Sequence, residues 1–182
     1  GSASIVSQDG FTVAALACVN CWGSTTMPNQ RAFWAQPFEI DGEFGGVPAI
    51  ARSFDAEDWG GAKFNPQPRA NTTIACVATD AALSKAGCRR VAVAAQDGLA
   101  RTIRPCHTPR DGDTVFALAT GAVEVNPDPT TPASMSPEVP LLTEVGTAAA
   151  DCLARAVLVA LLAAESVAGI PTYRGLLPGA FE

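Results

Sequence analysis

Apolar residues are gathered into a few dense runs separated by long polar, turn-rich stretches, and the lengths of those runs predict the elements. Phe11-Thr12-Val13-Ala14-Ala15-Leu16-Ala17-Cys18-Val19-Asn20 is continuous, contains β-branched and aromatic members, and is bounded by Asp9-Gly10 and Gly23, so it reads as a buried strand ending at Asn20. Thr72 to Thr79 has the same character and forms a second buried strand. Thr114-Val115-Phe116-Ala117-Leu118-Ala119-Thr120 forms a third, entered through the turn Asp111-Gly112-Asp113.

Two segments change to a helical period. Ser84 offers an N-cap, and Leu83, Ala86, Val91, Ala94, Ala95, Leu99 and Ile103 keep helical spacing as far as Pro105. Gly98 lowers the intrinsic stability of this helix, whereas Arg101 and Arg104 suit the negative end of its dipole. The longest helix is predicted from Leu142 to about Ala168. Its apolar surface is interrupted by Asp151, Arg155 and Glu165, which marks a buried amphipathic helix and not a membrane span. The order strand, strand, helix, strand, helix predicts a layered α/β domain.

The stretches between are loops. Cys21 to Pro37 carries polar residues with Trp22 and Trp34 as aromatic anchors. Asp41-Gly42 predicts a hairpin turn within Glu39–Glu43, because Asp-Gly readily supplies positive φ. Residues from about Arg52 to Ala70 are rich in Gly, Pro, Asp and Asn, a length of loop that is usually functional or disordered. Asn126 to Pro140 holds five prolines and is a further surface loop.

At 182 residues the chain supports one sizeable core, so residues 1–182 are expected to form a single domain. Only 16% of residues are charged while 48% are apolar, which excludes a disordered chain. The net charge of −6 argues against nucleic-acid or anionic-membrane partners, whose phosphates demand clustered Lys and Arg. No secretory leader pattern is present, and a cytoplasmic location is expected. Six cysteines are scattered through apolar segments of a chain too large to need stapling, so they read as buried free thiols.

Candidate chemistry is sparse when weighed on residues alone. Cys18-Val19-Asn20-Cys21 has the spacing of a zinc or redox pair, but no second pair follows at matching distance, and a structural role is favoured. His107 is the only histidine and lies in Pro105-Cys106-His107-Thr108-Pro109 with no nucleophile signature beside it, so a structural or surface role is expected. No Gly-rich phosphate loop is present. Neither a metal nor a cofactor is expected. Asn71-Thr72 joins a Pro-rich approach, Asn65-Pro66-Gln67-Pro68-Arg69-Ala70, to an apolar strand. A linker followed by a buried strand accounts for that junction. A cut there would also free a Thr72 whose own α-amine, titrating near ~8, can act as its base.

Taken together, Gly10-Phe11-Thr12-Val13, the strand ending in Asn20, Asn71-Thr72-Thr73-Ile74, Ala78-Thr79-Asp80-Ala81, Asp97-Gly98-Leu99-Ala100-Arg101, Ile103-Arg104-Pro105 and Asp111-Gly112-Asp113-Thr114-Val115-Phe116-Ala117-Leu118-Ala119-Thr120-Gly121 resemble the self-processing aminopeptidases typified by the D-aminopeptidase DmpA and the β-peptidyl aminopeptidases. Within that family the chain looks most like the nylon-oligomer hydrolases, in which processing falls between Asn and Thr where many relatives use Gly-Ser. The resemblance implies a four-layer αββα sandwich, similar to N-terminal-nucleophile (Ntn) hydrolases and shared with ornithine acetyltransferases. It further implies self-cleavage at Asn71-Thr72, with residues 1–71 ending an α chain, residues 72–182 forming the β chain, and an N-terminal portion preceding Gly1. That portion would carry the family's active-site lysine, since Lys63 and Lys85 do not match its motif.

By the same resemblance Thr72 is the nucleophile, Asn20 an oxyanion-stabilising amide, and Asp111 and Asp113 supporting carboxylates. The implied activity is endo-hydrolysis of 6-aminohexanoate (nylon-6) oligomers, with an aminopeptidase acting on D- or β-amino-acid peptides, or an acyltransferase, as alternatives. The implied partners are the chain's own N-terminal portion and further copies of itself in a homotetramer.

Overall fold

The computed structural model describes residues 1–48, 61–62 and 71–176. Most of the predicted loop from Arg52 to Ala70 therefore lies outside the described residues. Four strands, β1 (Ser2–Val6), β2 (Thr12–Asn20), β3 (Thr72–Ala81) and β4 (Thr114–Val123), form one sheet in the order β1-β2-β3-β4. β1 and β2 are antiparallel, as are β2 and β3, whereas β3 and β4 are parallel. Helix α1 (Lys85–Thr102) makes the crossover between the parallel pair. Helix α2 (Val139–Leu162) follows β4, a 3-10 turn spans Gln36–Phe38, and the short α3 (Tyr173–Leu176) is the last helix among the described residues.

Strand alternation decides which residues meet the helices. Val13, Ala15 and Ala17 of β2 and Ala75 and Val77 of β3 share a buried cluster with Val91, Ala95 and Leu99 of α1 and Val145, Leu153 and Val157 of α2. Small inward residues on the strands let both helices lie close to the sheet. The helices also approach each other closely at Gly98. A Cβ there would stand 2.4 Å from the carbonyl oxygen of Ala150, so the glycine that weakens α1 as a helix is what allows α2 to pack on it. Ser84 caps α1 as expected, its hydroxyl accepting from the Gly87 N–H at 3.0 Å.

The other face of the sheet is open. Leu16 is 63% exposed, Ile74 53% and Phe116 59%. The apolar runs predicted as buried strands are buried on one face only. The described residues thus form one sheet and one helical layer, in the α/β class, and two adjacent layers of the αββα order.

Several boundaries differ from the expectations. β1 was not foreseen, because Ser2-Ala3-Ser4-Ile5-Val6 has a single large inward residue, Ile5, and owes its place to pairing with Thr12–Leu16. Helix α2 begins at Val139, with Pro140 in its first turn, so the proline loop ends two residues earlier. It stops at Leu162 and not near Ala168, and beyond it Ala168 and Gly169 take φ of 52° and 78° and turn the chain. Asp41 and Gly42 do form a positive-φ turn, but no strands flank it, so there is no hairpin. All six cysteines are free; only Cys152 is fully buried, and Cys18 is exposed. Helix α2 is long and apolar enough to cross a membrane by composition, yet ten of its residues, from Val145 to Leu158, are buried within the protein.

Candidate active site

The C-terminal end of β2, the N-terminal end of β3 and the loop entering β4 meet at one edge of the sheet. Asn20 and Thr72 are register partners, so the two residues stand side by side. Alternation puts both on the open face, opposite the helices. Asn20 is exposed and Thr72 half-buried. Just before the strand, Asn71 is buried and bridges to Asp111 in parallel fashion.

The Asn71-Thr72 junction is held by short polar contacts. The Thr72 hydroxyl donates to the carbonyl oxygen of Asn71 at 2.6 Å, and the Gly112 N–H donates to the same oxygen at 3.0 Å. A Cβ on Gly112 would lie 2.8 Å from Thr72 Oγ1, so this position must be glycine for the loop to close over the hydroxyl. The sequence shows Gly112 only as a turn residue between two aspartates; its contact with Thr72 depends on β4 pairing in parallel with β3, which no local pattern reveals.

Asp111 and Asp113 lie at the same sheet end, but their carboxylates are directed to backbone groups. Asp111 Oδ1 accepts from the Trp22 N–H at 3.0 Å, tying the loop after β2 to the loop before β4. Its Oδ2 accepts from the N–H and hydroxyl of Thr108 at 3.2 and 2.7 Å. Asp113 Oδ1 accepts from the Thr73 N–H at 2.8 Å, one residue beyond Thr72. Asp113 thus fixes the backbone immediately after Thr72, and Asp111 fixes the two loops beside it. Trp22 is buried and lies under the guanidinium of Arg110, 5.4 Å from the ring centroid.

His107, expected in a structural or surface role, is half in this network: its Nδ1 lies 2.9 Å from Asp113 Oδ2 while its ring remains partly exposed. Beside it the Cys106 thiol contacts the same oxygen at 3.8 Å. Burial, with Asp113 as the next cause, pushes the Cys106 thiol up to about 12, so at neutral pH it holds its proton and is not a thiolate nucleophile. The Cys18–Cys21 pair does not assemble a site of its own: Cys18 is exposed on the open face and the Cys21 thiol donates to the Gly23 carbonyl at 3.2 Å.

Adjoining Asn20 is a cleft of about 670 Å³, walled by Cys21, Thr25 and Met27 on one side and by Leu161, Tyr173 and Leu176 on the other. Its mixed apolar and hydroxyl-bearing walls suit a small organic substrate. The Tyr173 hydroxyl is anchored on the Arg31 carbonyl at 2.7 Å, and its ring stacks on Phe33, so the wall is a packed one.

A protein of Mycobacterium tuberculosis (strain H37Rv) named as an uncharacterized aminopeptidase is 55% identical over the whole chain, and one of Mycobacterium leprae is 56% identical. The chain covers 52% and 49% of those two proteins, so it spans about half the length of the curated relatives it matches. A 6-aminohexanoate-oligomer endohydrolase of Kocuria sp. is 34% identical over 89 residues, 48% of this chain and 24% of that protein. Among solved structures, a Burkholderia sp. beta-aminopeptidase superposes with a TM-score of 0.57 at 26% identity, over 92% of this chain and 42% of that one. The Ochrobactrum anthropi L-aminopeptidase D-Ala-esterase/amidase, described as a variant of the Ntn-hydrolase fold, gives 0.53 at 24% identity over 94% and 42%, a likeness of fold. The model of peptidase family S58 matches residues 1–174, and the chain belongs to that family.

Proposed function

We propose that this chain carries the nucleophile of an amide hydrolase, Thr72, which becomes an N-terminal residue when the bond after Asn71 is cut. The observation that carries the proposal is the junction itself: the Thr72 hydroxyl lies 2.6 Å from the Asn71 carbonyl oxygen, and the Gly112 N–H already donates to that oxygen. In processing, Thr72 Oγ attacks the Asn71 carbonyl carbon and the Gly112 N–H stabilises the oxygen as it gains charge. The C–N bond then breaks, and water hydrolyses the resulting ester, leaving a free amine on Thr72. In turnover the same hydroxyl attacks a substrate amide, its proton passing to the α-amine, and an acyl-enzyme forms and is hydrolysed. Asn20, adjacent in register, supplies an amide N–H for the substrate oxyanion, a contribution of ~3 kcal/mol. Asp111 and Asp113 act by holding the backbone around Thr72 in place.

For the substrate, the aminopeptidase names of relatives 55% identical over the whole chain favour release of N-terminal residues from peptides, and the fold likeness to a beta-aminopeptidase makes peptides with D- or β-amino-acid N-termini the class to try first. The second reading, cleavage of internal amides in 6-aminohexanoate oligomers, is supported by the Asn-Thr junction and by the half-length match to an endohydrolase of that class. Acyl transfer to an amine is a third outcome of the same acyl-enzyme. Association with the protein's own N-terminal portion, and assembly into a homotetramer in the cytoplasm, belong to the same proposal.

One assay panel tests it: α-, D- and β-aminoacyl amides, a 6-aminohexanoate oligomer, and an acetyl donor with an amine acceptor. Thr72→Ala is expected to abolish every activity, and Asn20→Ala to slow hydrolysis by ~100-fold or more. Wild-type turnover by a folded Thr72→Ala variant would sink the proposal.

A further inference from the structure

Behind the nucleophile position, Cys106, His107 and Asp113 bring together a thiol, an imidazole nitrogen and a carboxylate oxygen, and these three ligand atoms lie within 4.8 Å of one another. The amide-hydrolase reading leaves the imidazole and the thiol without a task. Cys106 Sγ stands 3.8 Å and His107 Nδ1 2.9 Å from Asp113 Oδ2. A tetrahedral ion with bonds of about 2.0–2.3 Å separates such ligand atoms by roughly 3.3–3.6 Å, so binding would spread the Asp113–His107 pair slightly and draw the Cys106 thiol and the imidazole in towards one centre.

We propose that Cys106 Sγ, His107 Nδ1 and Asp113 Oδ2 form a binding site for a borderline-soft divalent cation of the zinc class. The donor set of one sulfur, one imidazole nitrogen and one carboxylate oxygen matches that ion and is poorly matched to calcium or magnesium, which take oxygen ligands. Three protein ligands leave a fourth position for water, and the partial exposure of His107 opens a path for the ion. Asp113 is oriented through its other oxygen by the Thr73 N–H, and His107, at a positive φ of 54°, already has its Nδ1 on Asp113. On binding, the Cys106 thiol releases its proton to solvent and the sulfur–metal bond replaces the S–H bond, while the imidazole coordinates as the neutral base. The site is independent of the amide-hydrolase proposal and does not require Thr72 to be processed.

The test is a cobalt(II) titration of the full chain, followed by competition with zinc(II) against a chromophoric chelator. Wild-type protein is expected to bind one ion and to show thiolate-to-cobalt charge-transfer absorption in the near ultraviolet, which zinc abolishes. Cys106→Ser is expected to lose that absorption, with Cys18→Ser as the thiol control. His107→Asn, whose side chain tolerates positive φ, is expected to weaken zinc binding beyond the ~10–100-fold that loss of an outer-shell partner costs. Absence of the charge-transfer band in folded wild-type protein would overturn the site, as would equal affinity in wild type and His107→Asn.

Discussion

At the residue scale, the two aspartates flanking Gly112 differ in what an amide could replace. Both oxygens of Asp111 accept from donors, Trp22 N–H on one side and the Thr108 N–H and hydroxyl on the other, so an asparagine must turn its NH₂ towards a backbone N–H whichever way it is set. Asp111→Asn should therefore destabilise the protein by about 1–3 kcal/mol, the cost of leaving a buried donor unsatisfied. Asp113 faces a donor, Thr73 N–H, on one side and His107 Nδ1 on the other, and the imidazole nitrogen accepts in one tautomer. Asp113→Asn should accordingly fold with near-wild-type stability. Thermal unfolding of both variants checks this, and equal losses would contradict the difference in their contacts. In sequence the pair was visible only as Asp-Gly-Asp, where a turn and a catalytic role predict the same letters. The distinction lies in partners 40 and 89 positions away.

At the scale of elements, the strands and helices were legible because each carries a period. The Phe11–Asn20, Thr72–Thr79 and Thr114–Thr120 runs, and the helix capped by Ser84, all stand where the pattern puts them. What was not legible is how elements approach one another. Gly98 reads as a weakness of α1 when propensity alone is considered, but its hydrogen is the only group that fits against the α2 backbone at Ala150 and Ala154. Gly98→Ala gains about 1 kcal/mol in helix propensity and loses about 1–3 kcal/mol to overpacking at a backbone contact that cannot rotate away. A net loss, read as a lowered Tm, is expected. An increase in Tm would show that the helices can separate freely. The edge strand β1 was missed for a related reason: five residues with one large apolar side chain hold no period of their own and fold on a neighbour.

At the scale of the whole molecule, the open sheet face explains why the runs that read as buried strands are apolar on both sides while only one side is covered in this chain. Leu16, Ile74, Phe116 and Leu118 carry the composition of an interior while facing outward in this chain. The chain spans about half the length of its relatives, and the layers expected beyond this face belong to the αββα order. Stability of the metal-free chain should also fall at high pH. Burial raises the thiols of Cys106 to about 12 and Cys152 to about 11, from an ordinary value of 9.0. A raised thiol contributes stability that is fully present below its unfolded value and is lost as pH climbs through the folded one. Unfolding free energy should thus decline from about pH 9 towards pH 11–12, because the unfolded chain releases protons the native state retains. Denaturant titrations across that range check this, with Cys106→Ser flattening the decline.

The proposed activity depends on one bond, Asn71-Thr72. Intact mass and N-terminal sequencing of purified, catalytically active protein test it most directly. The expected result is a fragment beginning Thr-Thr-Ile-Ala-Cys, with Thr72 as its free N-terminus, in wild-type protein and not in Thr72→Ala. Full activity in material whose Asn71-Thr72 bond is unbroken, or a cut at any other position, would contradict it.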